Sequence, residues 1–237
     1  MIELRLTGPV GLSHATTDSS FTGAIGRTAI SSAPKQNRVT PMGEIVAIAP
    51  RGAWAGNRGI LHEGVDVIRF HQSAMWIICA LRHKDLQLRQ WAPGHFTVLY
   101  FHDEAVALAA GHRPCAVCRR RAYNEYREAW AASRGGSVPL AQDIDRQLHR
   151  ERIFRGSHRR RLHMSSWSVV PGGAFVLVDG QPAVVLGDAV VPWTIHGYAD
   201  ARPRPDDGPV ELITPPSTVE ALRNGYRPQM DSTAFHR

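Results

Sequence analysis

Two of the three cysteines in the sequence lie close together, as a CxxC pair in the segment ALAAGHRPCAVCRR over residues 107–120. A CxxC pair on a tight turn can place both sulfurs, those of Cys115 and Cys118, on one zinc ion. A tetrahedral structural site needs two further ligands. The first question for this chain is therefore where those ligands come from.

The sequence offers several candidates for the remaining positions. Cys79 is the third cysteine, and His83 follows it four residues later in CALRH. His112 lies three residues before Cys115 and competes with His83 as the fourth ligand, with His102 as a more distant choice. Cysteine sulfur and histidine nitrogen are both zinc ligands, so spacing alone leaves the fourth ligand open.

Cysteines in these positions can also have roles other than metal binding. A CxxC pair at a helix start is found in redox proteins, but the flanking pattern of a thioredoxin-like unit is missing here. A lone cysteine in an apolar strand such as AMWIIC is commonly a small buried side chain, which is the alternative for Cys79.

Basic residues suggest a phosphate-rich partner. The chain has 28 Lys and Arg against 21 Asp and Glu, a net charge of +7. The segment RQLHRERIFRGSHRRRLH over residues 146–163 is the most basic stretch, and further arginines adjoin the CxxC pair. Such residues neutralise nucleic-acid phosphates, although a solvated surface is the alternative. The predicted nucleic-acid contacts are Arg113, Arg119, Arg120, Arg121, Arg159, Arg160 and Arg161.

A second type of metal chemistry is suggested by acidic residues and a histidine on one predicted helix. His149 and Glu151 follow Asp143 and Asp145, and Asp145 and His149 share a helix face at i,i+4 spacing. A metal-dependent hydrolase or nuclease using His149 and Glu151 is therefore one alternative. Pairing of these side chains with neighbouring arginines is the other.

The elements that would position these residues alternate between strands and helices. Apolar patterns predict strands over 44–49, 74–79 and 96–101, with a Gly-containing loop, RGAWAGNRG, between the first two. Asp103 is a predicted helix N-cap and Gly111 a predicted helix end. Further helices are predicted over 119–133, with a buried aromatic stripe, and over 140–153.

The C-terminal part has a different pattern. AFVLVDGQPAVVLGDAVVPW predicts short strands joined by Asp-Gly and Gly-Asp turns, and a last strand is predicted over 210–213. A final helix is predicted to be capped by Ser217 and Glu220 and to end at Gly225. The sequence thus predicts an α+β protein with a small mixed or antiparallel sheet, flanked by helices, after the cysteine-containing part.

Residues 1–39 are rich in Ser, Thr, Gly and Ala and predict a disordered tail. The remaining chain is predicted to divide into a module over 40–136 and an α+β domain with a basic linker over 137–237. An odd, small number of cysteines indicates a reducing compartment, and neither a signal peptide nor a membrane segment is evident. The expected location is the cytoplasm.

The stretch from residue 76 to 120 resembles the zinc-binding N-terminal domain of the Ada DNA repair protein. In that family a CxxxC pair on a strand is followed by a second strand, a short helix ending AAG, and RPCxxC. Here IICALRH stands in place of the first pair, and TVLYFHDEAVALAAGHRPCAVC matches the rest. The resemblance covers about 45 of 237 residues.

The resemblance implies zinc bound by Cys79, Cys115 and Cys118, with His83 in place of the second cysteine. It also implies that Cys79 is the nucleophile that accepts a methyl group from a DNA methylphosphotriester. Replacing a thiolate with neutral imidazole leaves less negative charge on the site and makes the sulfur less nucleophilic. We therefore expect first a zinc protein that binds nucleic acid, DNA before RNA, and second an alkyl acceptor at Cys79.

Overall fold

The computed structural model describes residues 33–84, 87–132, 134–135 and 137–235. Residues Pro34–Arg237 form one compact unit. The predicted division into a module over 40–136 and a domain over 137–237 therefore does not correspond to two separate units. Most of the predicted tail lies outside the described residues, but residues 36–39 at its end form a strand.

The first half of the chain builds a six-stranded mixed sheet in the order β2-β1-β7-β3-β6-β8, and β4 and β5 pair separately. The strands, in chain order, are β1 (Gln36–Val39), β2 (Ile45–Ala47), β3 (Trp54–Asn57), β4 (His62–Glu63), β5 (Asp66–Val67), β6 (Ile77–Cys79), β7 (Leu99–Phe101) and β8 (Arg113–Pro114). Strands β2, β6 and β7 confirm the predicted strands, each shorter than expected.

Strand β3 lies inside the segment predicted as a loop, and that prediction is wrong. β3 pairs with both β6 and β7 and so occupies an interior position of the sheet. An ideal Cβ on Gly56 would lie 2.3 Å from a ring carbon of Phe101. Glycine is needed here because the Phe101 ring fills the space of a side chain, and that same glycine weakens the strand pattern in the sequence.

The second half builds a seven-stranded antiparallel sheet with the path β13-β12-β11-β10-β15-β9, and β14 pairs with β12. Its strands are β9 (His163–Ser166), β10 (Phe175–Val178), β11 (Gln181–Leu186), β12 (Ala189–Thr194), β13 (Gly197–Tyr198), β14 (Arg202–Pro203) and β15 (Pro209–Leu212). Asp179 and Gly180 both have positive φ between β10 and β11, which confirms the predicted Asp-Gly hairpin.

Four α-helices complete the fold: α1 (Glu104–Ala109), α2 (Arg120–Ala132), α3 (Ala141–Arg152) and α4 (Pro216–Arg223). Short 3₁₀ turns cover Trp167–Val169 and Ser232–Phe235. The α+β class is thus confirmed. No helix among the described residues is long and apolar enough to cross a membrane.

The helix ends follow the predictions in part. Asp103 caps α1 by accepting a hydrogen bond of 2.8 Å from the Val106 amide, and Gly111 after it has a φ of +88°. The predicted capping box of α4 is wrong, because Ser217 lies inside the helix and its hydroxyl donates to Glu151. Pro216 starts that helix with its preset φ instead.

One hydrophobic core joins the two halves. It contains Ile78 and Leu99 of the first sheet, Tyr126 of α2 and Val185 of the second sheet. Tyr126 and Trp130 of the aromatic stripe predicted on α2 belong to this core. Because the core is shared, the cysteine-bearing part and the antiparallel sheet support each other.

Candidate metal centre

The sheet topology brings the three cysteines together. β6 ends at Cys79, and β8 runs parallel beside it, with Ile77 opposite Arg113 and Ile78 opposite Pro114. The chain leaves β8 directly into the turn that holds Cys115 and Cys118. As a result the three sulfur atoms all lie within 4.8 Å of one another. The structure therefore has three thiols close enough to hold one metal ion.

Backbone amides reinforce this arrangement. The Ala80 amide donates to the Cys118 sulfur, and the Val117 amide donates to the Cys115 sulfur, each at 3.4 Å. A hydrogen bond from the Cys115 amide to the Ile78 carbonyl at 2.9 Å ties the turn to the strand. Amides that point at sulfur favour the thiolate, which is the form that binds metal.

The thiols affect each other's ionisation strongly. Hydrogen bonds from Cys118 and Cys79, assisted by backbone amides, lower the pKa of Cys115 to about 2, whereas the hydrogen bond with Cys115 raises the pKa of Cys79. Once one thiol is ionised, ionising a second one is therefore unfavourable, because like charges repel at short range. A bound dication removes that conflict and allows all three sulfurs to ionise.

The two predicted histidine ligands are outside this group. The group of metal-binding side chains among the described residues consists of the three cysteines and does not include His83. His112 is fully buried in the core between Trp76 and Phe101. It accepts a 3.1 Å hydrogen bond from Arg58, and its other ring nitrogen faces the Ala107 carbonyl. The prediction of His112 as a ligand is wrong.

The alternative hydrolytic site is not assembled. Both oxygens of Glu151 accept hydrogen bonds from Ser217, at 2.6 Å from its hydroxyl and 3.0 Å from its amide. His149 accepts a hydrogen bond from Arg152 and lies against the ring of His71. Burial and the neighbouring His149 lower the pKa of His71 to about 4. In the described part of the chain, these side chains do not form a metal-binding group.

Three arginines predicted to contact nucleic acid bind other parts of the fold instead, and two of them, Arg113 and Arg119, are buried. Arg113 makes two hydrogen bonds of 2.8 Å with the carboxylate of Asp145. Arg119 pairs with Glu104 at 2.8 Å and lies over the ring of Trp54. The half-buried Arg160 donates to the carbonyls of Ala109 and Ile213, so its role is to join elements. Removing these three from the predicted interface leaves the exposed Arg120, Arg121 and Arg159 and the half-buried Arg161.

A basic cavity, which we call the cationic cavity, lies close to the metal centre. Its volume is about 790 Å³, and the described residues that line it include four basic ones and no acidic one. The lining residues are Arg38, Arg51, Gly52, Leu81, Arg82, Lys84, Gln87, Leu88, Gln90 and Tyr100. No pattern in the sequence predicts this cavity, because its basic residues come from β1, the loop before β3 and the segment after Cys79.

A second depression, of about 520 Å³, borders the metal centre itself. Cys118 lines it, together with Glu104, Glu125 and the consecutive arginines Arg119 to Arg121. Cys79, the predicted nucleophile, is half-buried and is not among its lining residues. On this side the depression therefore reaches the metal centre at Cys118.

No family model matches this chain, and neither does any curated protein or solved structure. The resemblance to the Ada zinc domain consequently rests on the sequence motif alone.

Proposed function

We propose that this chain is a zinc protein that binds nucleic acid next to its metal centre. The observation that carries the proposal is the convergence of Cys79 on the CxxC turn from a strand 36 residues earlier. Soft thiolate ligands select zinc, copper(I) or iron–sulfur clusters, and the Ada-like motif favours zinc. Free thiols suit a reducing compartment such as the cytoplasm.

The metal acts first as a cross-link. It joins the end of β6 to the turn that precedes α2, and α2 packs against α4 and the shared core. A zinc ion held only when these segments are in place contributes its binding free energy to folding. We therefore assign the zinc a structural role.

The nucleic-acid partner is suggested by the cationic cavity. Its wall begins at Leu81, two residues after the metal ligand Cys79, so zinc holds one end of that wall. The four cations among the described lining residues favour a polyanion, and Tyr100 adds an aromatic ring on which a base can stack. DNA is preferred over RNA because the Ada-like motif belongs to a DNA repair protein.

An alkyl-acceptor role is the second candidate, favoured by the depression that reaches the metal centre at Cys118. Mass spectrometry after exposure to a methylphosphotriester oligonucleotide tests it. A gain of one methyl group on Cys79 or Cys118 supports the role. An unchanged mass together with intact DNA binding leaves the structural zinc protein as the function.

Removing two exposed arginines of the cationic cavity is expected to weaken DNA binding. For Arg51→Ala/Arg82→Ala we expect an affinity at least about tenfold lower at low salt and a slope of log K against log salt smaller by about two, one for each lost phosphate contact. Fluorescence anisotropy with a labelled 20-mer at several salt concentrations measures both values.

The matched control is Arg150→Ala/Arg155→Ala, which removes two exposed arginines of the basic segment over 146–163 that are not among the predicted nucleic-acid contacts. We expect this variant to bind DNA within about twofold of the unmodified protein, since its arginines are outside the cavity lining. A large loss in the control with no loss in the cavity variant would place the interface on the basic segment and contradict the proposal.

A further inference from the structure

One row of residues across the first sheet links the cationic cavity to the metal centre. Arg38 of β1 lies opposite Tyr100 of β7. Tyr100 in turn lies opposite Ala55 of β3, which lies opposite Cys79 of β6. Opposed residues put their side chains on the same face of a sheet. Since Arg38 and Tyr100 line the cavity, the cavity and the metal ligand Cys79 share one face of the sheet.

Tyr100 is the aromatic side chain of β7 that the core does not use. Its neighbours on the strand, Leu99 and Phe101, have no exposed surface, whereas Tyr100 is half-buried and lines the cavity. The Arg38 guanidinium lies over the Tyr100 ring, with its Cζ 4.9 Å from the ring centroid. The side-chain amide of Gln90 donates a hydrogen bond to the Tyr100 hydroxyl. These contacts hold an aromatic ring in place on the cavity wall.

The cations of the cavity are available to a ligand. Arg51, Arg82 and Lys84 are exposed and form no ion pair with any described residue. Arg38 donates to a backbone carbonyl at 2.7 Å and to the side-chain oxygen of Asn37, which are both neutral acceptors. Within the described part of the chain, no carboxylate is paired with these four charges. The phosphates of a nucleic-acid strand can therefore bind them directly.

The size of the cavity favours an unpaired strand over a duplex. A cube with its volume of about 790 Å³ is about 9 Å wide, which is less than the width of the B-DNA major groove alone, about 12 Å. The bases of a duplex stay stacked and paired, so their faces cannot reach Tyr100. An unpaired nucleotide has the size of the small ligands that cavities of about 300–1,000 Å³ bind.

We propose that the cationic cavity binds single-stranded DNA, with one unpaired base stacked on Tyr100 and the adjoining phosphates on Arg51, Arg82 and Lys84. This inference rests on the proposed function and narrows its ligand to an unpaired strand. Every base has a face that can stack on an aromatic ring, so sequence preference should be weak. Because Cys79 lies on the same face of the sheet, the bound strand lies beside the metal centre.

Three labelled 20-mer probes test the strand preference on the zinc-loaded protein: a single strand, the same strand in a blunt duplex, and a strand of abasic sites that keeps the phosphates without bases. Fluorescence anisotropy measures each affinity. We expect the single strand to bind at least about tenfold more tightly than the duplex. The abasic strand should bind about 5–150-fold more weakly than the single strand, the range expected for one stacked base.

Two results would overturn this inference: duplex binding as tight as single-strand binding, or an abasic strand that binds as tightly as the strand with bases. If Arg51→Ala/Arg82→Ala still weakens DNA binding in that case, the proposed function stands without the inference. Absence of binding to all three probes would overturn both.

The ring itself is tested by Tyr100→Leu. We expect single-strand binding to weaken by about 5–150-fold, with an unchanged slope of log K against log salt because no phosphate contact is lost. Tyr100→Phe keeps the ring and should recover most of that affinity. Phe235→Leu is the matched control, since Phe235 is 62% exposed and is outside the cavity lining, and it should bind within about twofold of the unmodified protein. Unchanged binding in Tyr100→Leu, or equal losses in Tyr100→Leu and Phe235→Leu, would refute the stacking role.

Discussion

Replacing Cys79 with serine is expected to remove most of the bound zinc. The hydroxyl of serine is a poor ligand for a site built from soft thiolates, and Cys79 is the ligand that connects the CxxC turn to the sheet. Loss of an outer hydrogen-bond partner alone costs up to about 100-fold in metal affinity, so loss of a ligand should exceed that value. Competition with a chromophoric chelator measures the affinity.

The thermal stability of the fold should decrease when zinc is lost. Because zinc cross-links β6 and the turn before α2, Cys79→Ser and chelated unmodified protein should both unfold at lower temperature than the zinc-loaded protein. His83→Ala is the control, since His83 lies outside the group of thiols, and it should keep about one zinc per chain. Full zinc retention in Cys79→Ser, or equal loss in His83→Ala, would show that a different set of ligands holds the metal.

The second large effect concerns Arg113, which the sequence places beside the CxxC pair but the structure buries against Asp145. Side-chain exposure is 4% for Arg113 and 10% for Asp145, and the two groups share a two-point ion pair. Arg113→Met should lower the free energy of unfolding by about 3–5 kcal/mol, because it leaves the Asp145 carboxylate buried without its partner. Urea unfolding with a far-UV CD readout measures the change.

The double variant Arg113→Met/Asp145→Leu is the matched control. It replaces the whole pair with apolar groups, so most of the lost stability should return. DNA affinity of the folded fraction should stay within about twofold in both variants, since Arg113 is not at the surface. If Arg113→Met keeps the stability of the unmodified protein but loses DNA binding, Arg113 is part of the nucleic-acid interface after all.

Local patterns in the sequence were sufficient to predict several helix ends and turns of the fold. Asp103 and Gly111 mark the ends of a short helix because cap geometry depends on residues within one turn. Asp179 and Gly180 form a hairpin turn for the same local reason. The three thiols that the structure brings together were predicted through the resemblance to the Ada zinc domain, because an apolar strand ending in a lone cysteine is by itself more typical of a small buried side chain.

The rest depends on contacts between distant parts of the chain. His112 is as close to the CxxC pair in sequence as a ligand would be, but β8 turns its ring into the core against Arg58, 54 residues away. From the sequence alone, Arg119 is predicted to be a surface cation, because its pairing with Glu104 depends on the fold. The four cations of the cationic cavity come from three separate segments, so no charge cluster in the sequence marks them.

The most direct test of the metal centre is X-ray absorption at the zinc K-edge on purified, zinc-loaded protein. We expect three sulfur neighbours at about 2.3 Å from the zinc, with any further neighbour a lighter atom at about 2.0–2.2 Å. A first shell made only of nitrogen and oxygen, or one with fewer than three sulfurs, would contradict it.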